Sequence, residues 1–226
     1  MTISVIIPTL NEERTITETV RHTAKLGLHE IIVVDGGSID QTIAQVSPLG
    51  VARVLTSQPG RAGQLNAGAA ACRSDVLLFL HADTRLPQSA KESIEAALAS
   101  SLAVGGRFDI QFDSGSLWSR LISTFMNLRS RLTRIATGDQ AIFVRRSVFE
   151  QLGGFSDIPL MEDIDFSARL KRRGRTIALY DTVITSFRRW EQEGPLKTIL
   201  LMWTLRFLYW IGVSPHRLAH SYRVVR

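Results

Sequence analysis

Ile31-Ile32-Val33-Val34-Asp35-Gly36-Gly37-Ser38-Ile39-Asp40 decides the fold. An apolar, β-branched run that ends on a carboxylate and two glycines reads as a strand buried on both faces, entering a tight turn that a ligand can approach closely. The same grammar recurs on either side. Ile3 to Ile7 is a similar run stopped by Pro8, and Asn11-Glu12-Glu13 then opens a helical stretch, with Asn11 or Thr9 as its N-cap and acids in its first turn. Downstream, a short helix leads to a strand at Val51 to Leu55, a helix covers about Ala62 to Arg73, and a fourth strand, Val76 to Leu80, closes in His81-Ala82-Asp83-Thr84. Strands alternating with helices at this spacing predict an α/β chain with a parallel sheet flanked by helices. Ligands of such sheets bind beyond the carboxyl ends of the strands, so Pro8 to Glu12, Asp35 to Asp40 and His81 to Thr84 should converge on one crevice.

After about residue 100 the pattern changes. Gly105 to Phe112 alternates Arg107, Asp109 and Gln111 with Phe108, Ile110 and Phe112, as in a half-exposed antiparallel strand. Residues 116 to 134 read as a helix, Ala141 to Val144 as a strand, and Asp163 to Arg173 as a helix ended by Gly174. The predicted organisation is one domain over 1–190, with a nucleotide-binding half (about 1–100) and an acceptor half (about 101–190), followed by a helical tail over 191–226. The 226 residues are 45% apolar, enough for a single large core. Cys72, beside Ala69 to Ala71 in what reads as a helix interior, is the one cysteine and has no intrachain partner, which points to a reducing compartment. The N-terminus lacks a basic n-region and runs into a strand, so a secretory signal is not expected and a cytoplasmic location is.

Charge is uneven. Residues 1–113 hold twelve acidic against nine basic side chains, and residues 114–226 nine against eighteen, for a net +6. A basic half can meet nucleic acid, anionic lipid or a phosphorylated small molecule. Nucleic acid ranks last, because the tail holds long apolar runs in place of polar residues with scattered stacking aromatics. Leu196 to Val213 contains Trp203, Phe207, Tyr209 and Trp210 but also Lys197 and Arg206, between Gly194-Pro195 and Ser214-Pro215. It is barely long enough to span a bilayer, and the mid-segment arginine opposes insertion. An interfacial helix at the inner face of the cell membrane is predicted, with Arg188, Arg189, Arg217, Arg223 and Arg226 around it. A helix packed on the protein's own core or at a dimer interface is the alternative.

Five clusters carry candidate chemistry. Asp35 offers a carboxylate to an N–H or hydroxyl pair, with Asp40 or Ser38 capping the next helix as the structural alternative. Gly60-Arg61-Ala62-Gly63 places an arginine at a helix N-terminus, a reasonable diphosphate cradle or simply a loop before a surface helix. Asp83 can hold Mg²⁺ or Mn²⁺ against a diphosphate, whose oxygens and water complete the shell, or can cap the following helix. Glu162-Asp163-Ile164-Asp165 places three acids at a helix start, where they favour the helix dipole and also offer a base to a hydroxyl attacking an anomeric carbon. Arg188-Arg189-Trp190 offers two cations to a departing diphosphate and an aromatic face to a sugar or acceptor, or is a solvated basic turn.

Together Ser4 to Glu13, Val33 to Asp40, Asn66-Ala67-Gly68, His81 to Thr84, Gly138-Asp139-Gln140 and Glu162-Asp163 closely resemble the motifs of family 2 glycosyltransferases, over at least residues 3 to 190. The tail from Arg188 is similar to a bacterial subgroup of short, single-domain members. The resemblance implies a GT-A, Rossmann-like, mostly parallel sheet and an inverting transfer from a UDP- or GDP-linked sugar to a hydroxyl acceptor, lipid-linked or apolar. It implies that Pro8, Thr9, Asn11, Glu12 or Glu13, Asp35, Gly36, Arg61, Asn66, Ala82 and Asp83 bind the nucleotide. Asp83 with His81 would hold the metal, Asp163 would be the base, and Glu162 its neighbour. Gly138, Asp139, Gln140, Arg188, Arg189 and Trp190 would meet acceptor and diphosphate.

The sequence departs from the family's pattern twice. His81 stands where the Asp-x-Asp metal motif has its first acid, which tilts the metal toward Mn²⁺. Ser186 replaces the glutamine of the Gln-x-x-Arg-Trp motif of processive members, so polymer synthesis is not predicted. His81 also raises an alternative of another class, an inactive nucleotide-binding regulatory module at the membrane surface. A sugar-phosphate nucleotidyltransferase would need a Gly-rich phosphate loop with a following lysine after the first strand, and Pro8-Thr9-Leu10-Asn11 has neither.

Overall fold

The computed structural model describes residues 1–99 and 102–222. Its front half runs β1 (Ile3–Thr9), α1 (Ile16–Ala24), β2 (Glu30–Asp35), α2 (Thr42–Val46), β3 (Arg53–Thr56), α3 (Arg61–Ala71) and β4 (Val76–Phe79). β1 pairs in parallel with β2 and β4, and β2 with β3, so their carboxyl ends share one edge of the sheet. Val5, Ile7, Val33 and Leu78 pack into one core cluster, and Ile6, Ile32, Val34 and Leu77 into another. With a side-chain period of two, an all-apolar strand supplies both faces at once.

The rear half runs β5 (Thr84–Arg85), α4 (Ala90–Ala99), β6 (Ala103–Phe112), α5 (Leu117–Thr133), β7 (Phe143–Arg145), α6 (Arg146–Gln151), α7 (Glu162–Arg173) and β8 (Arg175–Thr185). Helices α8 (Arg188–Glu193), α9 (Pro195–Trp210) and α10 (Pro215–Ser221) follow. The eight strands form one sheet in the order β3-β2-β1-β4-β7-β6-β8-β5. β7 lies antiparallel between β4 and β6, which makes the sheet mixed.

Four local expectations change. α1 begins at Ile16, not at Asn11, because the Asn11 side chain accepts from the Ile39 N–H across the crevice and cannot cap its own chain. β6 is not half-exposed: α5 covers it, Asn127 bonds both backbone groups of Ile110, and Arg107 is buried with Asp109 as its partner. It is antiparallel to β7 but parallel to β8. Cys72 is buried and free, one residue beyond the end of α3 rather than inside it.

The tail folds back onto the protein. Leu205 of α9 and Leu218 of α10 bury against Met161, which precedes α7. None of the described helices is long and apolar enough to cross a membrane. Arg223 and Arg226, two of the cations expected around the tail, lie outside the described residues.

Candidate active site

The loops after β1 and β2 lock together. Asp35 is buried, and its carboxylate accepts from the N–H groups of Gly37 and Ser38 and from the Ser38 hydroxyl, closing its own turn. Asn11, at φ 56°, donates its N–H to Ser38 Oγ, a left-handed conformation that asparagine tolerates. Buried Thr9 receives the Gly36 N–H on its carbonyl, at the end of the strand that Pro8 continues. Glu12 and Glu13 diverge. Glu13 accepts from the Gln41 N–H at 3.0 Å, whereas Glu12 turns into the crevice with Arg188 3.6 Å away. Asp40 does the local capping, accepting from the N–H and hydroxyl of Thr42.

Gln64 is a residue that sequence reasoning passes over. It is 4% exposed, and its Nε2 donates to the carbonyls of Thr9 at 2.7 Å and Val34 at 2.8 Å, clamping α3 across the ends of β1 and β2. A Cβ on Gly36 would stand 3.1 Å from that amide, which is why glycine sits there. The available signal was a polar side chain amid the buried positions Ala62, Leu65, Gly68 and Ala69 of α3.

Asp83, just past β4, faces Glu12. Burial raises the Glu12 carboxyl above its ordinary range, the negative charge of Asp83 raises it further, and Arg188 opposes both. His81 turns the other way, with Nδ1 3.0 Å from Asp139 Oδ1. A carboxylate only accepts, so Nδ1 carries the proton. Nε2 is buried without a hydrogen-bond partner among the described residues, in the place a Cβ on Gly138 would fill. The bond to Asp139 fixes the ring and leaves the Nε2 lone pair uncommitted, with Nε2 directed at Gly138. Among the described residues, no group of three or more His, Cys, Asp or Glu side chains is arranged to hold a metal ion.

A second cluster centres on Asp163. Its Oδ2 accepts from the Gly138 N–H and its Oδ1 from the Ile164 N–H, both at 2.7 Å, which fixes the carboxylate against the turn 138–140. Burial and the adjacent Asp163 push the Glu162 carboxyl up, with Arg61, 3.8 Å away, pulling the other way. Burial also pushes Asp139 up, but His81, Arg61 and Arg206 outweigh it and hold its carboxyl at about 2. Burial lowers Arg129 to about 10, with neighbouring Arg206 adding to the effect, and burial lowers Arg206 as well. Tyr222, raised by burial, receives the Arg189 guanidinium on its hydroxyl and across its ring at 4.2 Å. Both Glu12 and Glu162 lie in the field of His81, which stands between the two clusters. Arg206 and Tyr222, from the tail, belong to the second and were not singled out as site residues by the sequence.

Four expected site residues do other work. The Asn66 amide is committed to the backbone of Phe155, donating to its carbonyl and accepting from its N–H. Gln140 is fully buried in a capping box with Thr137. Trp190 stacks on Phe187 and meets Phe112 edge-on, so its ring belongs to the core margin. The Ala82 carbonyl accepts from the Thr19 hydroxyl of α1.

Residues 4–153 match the family model described as glycosyl transferase family 2. The chain belongs to that family. Among its relatives is a probable glycosyltransferase, YdaM of Bacillus subtilis (strain 168), 30% identical over 216 residues, covering 84% of this chain and 50% of the relative. Another is an undecaprenyl-phosphate 4-deoxy-4-formamido-L-arabinose transferase of Pseudomonas paraeruginosa, 30% identical over 167 residues, covering 66% of this chain and 49% of that one. The chain thus spans about half the length of the curated relatives it matches. The crystal structure of S. aureus TarS 1-349 superposes with a TM-score of 0.65 at 20% identity, over 82% of this chain and 60% of that one, a likeness of fold. The protein is accordingly a family 2 glycosyltransferase on a mixed, helix-flanked sheet. The family match stops short of Glu162, Asp163 and the tail.

Proposed function

We propose that this family 2 enzyme moves a sugar, with inversion, from a UDP- or GDP-linked donor to a hydroxyl of a lipid-linked or apolar acceptor, in the cytoplasm at the inner face of the cell membrane. What supports the reading is that Glu12 and Asp83 face each other beside Arg188, that Glu162, Asp163 and Asp139 gather beside Arg61, and that His81 stands in the field of both groups. In this reading the nucleoside lies over the locked loops 9–13 and 35–40, and Arg61 and Arg188 face the diphosphate. The name of the Pseudomonas relative includes undecaprenyl phosphate, which favours a lipid-linked acceptor here.

Asp163 takes the proton of the attacking hydroxyl, held in one orientation by its two N–H partners, and Glu162 borders the acceptor beside it. A single displacement, with the base on the face opposite the departing diphosphate, inverts the anomeric centre. The like-charged Glu12 and Asp83 suit a hard divalent cation whose other ligands are phosphate oxygens and water. Asp83 would hold Mg²⁺ or Mn²⁺, which supplies charge neutralisation for the leaving group. His81, oriented by Asp139, would offer its Nε2 to the same ion.

The test is turnover of a panel of UDP- and GDP-sugars with lipid-linked and apolar acceptors by wild type, Asp163→Asn and Glu162→Gln. Loss of the base should lower turnover about a hundredfold or more in Asp163→Asn. Full activity of that variant would remove Asp163 from the role, and no transfer by wild type across the panel would sink the reading.

A further inference from the structure

α5 is amphipathic in the reverse sense of a helix that serves its own core. Its buried positions are Ser119, Ile122, Ser123 and Ser130, mostly small and polar. Its outer face carries Leu117, Leu121, Phe125, Leu128 and Leu132, a spacing that keeps them on one stripe of the helix. Phe125 is 66% and Leu132 76% exposed. α9 repeats the arrangement with Leu196, Leu200, Trp203, Phe207 and Trp210 outward, Trp203 at 69% and Trp210 at 80%, while Thr198 and Leu205 are buried. On their inner sides, Arg129 of α5 and Arg206 of α9 both lie within the field of Asp139 and Asp163. The two helices therefore border the same carboxylates, with their apolar stripes turned away from them.

Single exposed leucines need no explanation, but two aligned stripes do. Their charges say what covers them. α5, α9 and α10 contain not one Asp or Glu, and their exposed cations are Arg120, Lys197 and Arg217, whereas Arg129, Arg131 and Arg206 turn toward carboxylates of the protein itself. A second copy would set acid-free helices bearing only exposed cations against each other, which like-charge repulsion opposes. An anionic bilayer accepts the apolar stripes among its acyl chains, the tryptophans at its interface and the cations at its headgroups.

We propose that α5 and α9 form one docking face for an anionic phospholipid bilayer and set the cluster of Asp139 and Asp163 beside it. The lipid-linked acceptor belongs to the functional reading above; docking itself needs no sugar transfer. The test is flotation of the full chain with phosphatidylcholine vesicles, with and without phosphatidylglycerol, at low and high salt. Wild type should float with the anionic vesicles and release as salt rises. Phe125→Asp on α5 and Trp203→Ser on α9 should each weaken partitioning about tenfold. Both should keep the wild-type melting temperature and turnover on a water-soluble acceptor analogue. Wild-type flotation by a folded Phe125→Asp variant would remove α5 from the face. A dimer in light scattering that Phe125→Asp splits, with no flotation by wild type, would assign the face to a second copy. Flotation as described without transfer to any acceptor would overturn the functional reading and leave the docking face standing.

Discussion

Gly138 and His81 constrain each other: the imidazole fills the space a Cβ would need, and the same backbone donates its N–H to Asp163. Gly138→Ala should therefore destabilise the fold by about 1–3 kcal/mol, read by urea unfolding, and reduce transfer. Adding His81→Ala to it should restore stability without restoring transfer; if it does not, the clash is not what Gly138 avoids. Asp139 carries a pH signature. Its carboxyl is held at about 2 in the fold, below the ordinary range near 4, so its contribution is present above about pH 4 and is lost as pH falls toward 2. The melting-temperature gap between wild type and Asp139→Asn should close over that interval. A gap that persists unchanged at pH 2 would show that the ion pair with His81 is not its source. Asp139 and His81 were both legible as polar residues at loop positions, but their partnership was not, because it joins two distant segments.

At the scale of elements, α3 is aimed by Gln64. Gln64→Leu would keep the side-chain volume while withdrawing the donor from the Thr9 and Val34 carbonyls, and should cost about 1–3 kcal/mol in denaturant unfolding. Wild-type stability in that variant would mean the clamp contributes nothing. The parallel strands were readable in the sequence, since β-branched runs and the turn Asp35-Gly36-Gly37 act over a few adjacent residues. The start of α1 was not, because the cap residue it offered, Asn11, is claimed by the loop after β2. β6 differs from expectation for the same kind of reason: alternation marks two faces, and on the polar one Arg107 and Asp109 are enclosed, with Arg107 and Arg131 paired to Asp109, while Gln111 alone stays exposed.

At the scale of the molecule, the tail completes the site, and the arginine that reads as an obstacle to membrane insertion lies within the field of Asp163 and Asp139. Arg206→Gln should lower turnover with little change in melting temperature and should relax the depression of the Asp139 carboxyl, visible by NMR titration. Unchanged turnover would make the tail an anchor only. Amino-acid order alone determined the parallel strands β1 to β4, the edge at which their loops meet and the family's motifs, because these rest on strand periodicity and turn chemistry within short windows. Tertiary structure alone decided that His81 binds Asp139, that Gln64 braces the ends of β1 and β2, that Arg206 and Tyr222 return to the carboxylate cluster and that α5 turns its leucines outward. Each of those outcomes depends on which distant side chain occupies the neighbouring space, and no local pattern encodes that.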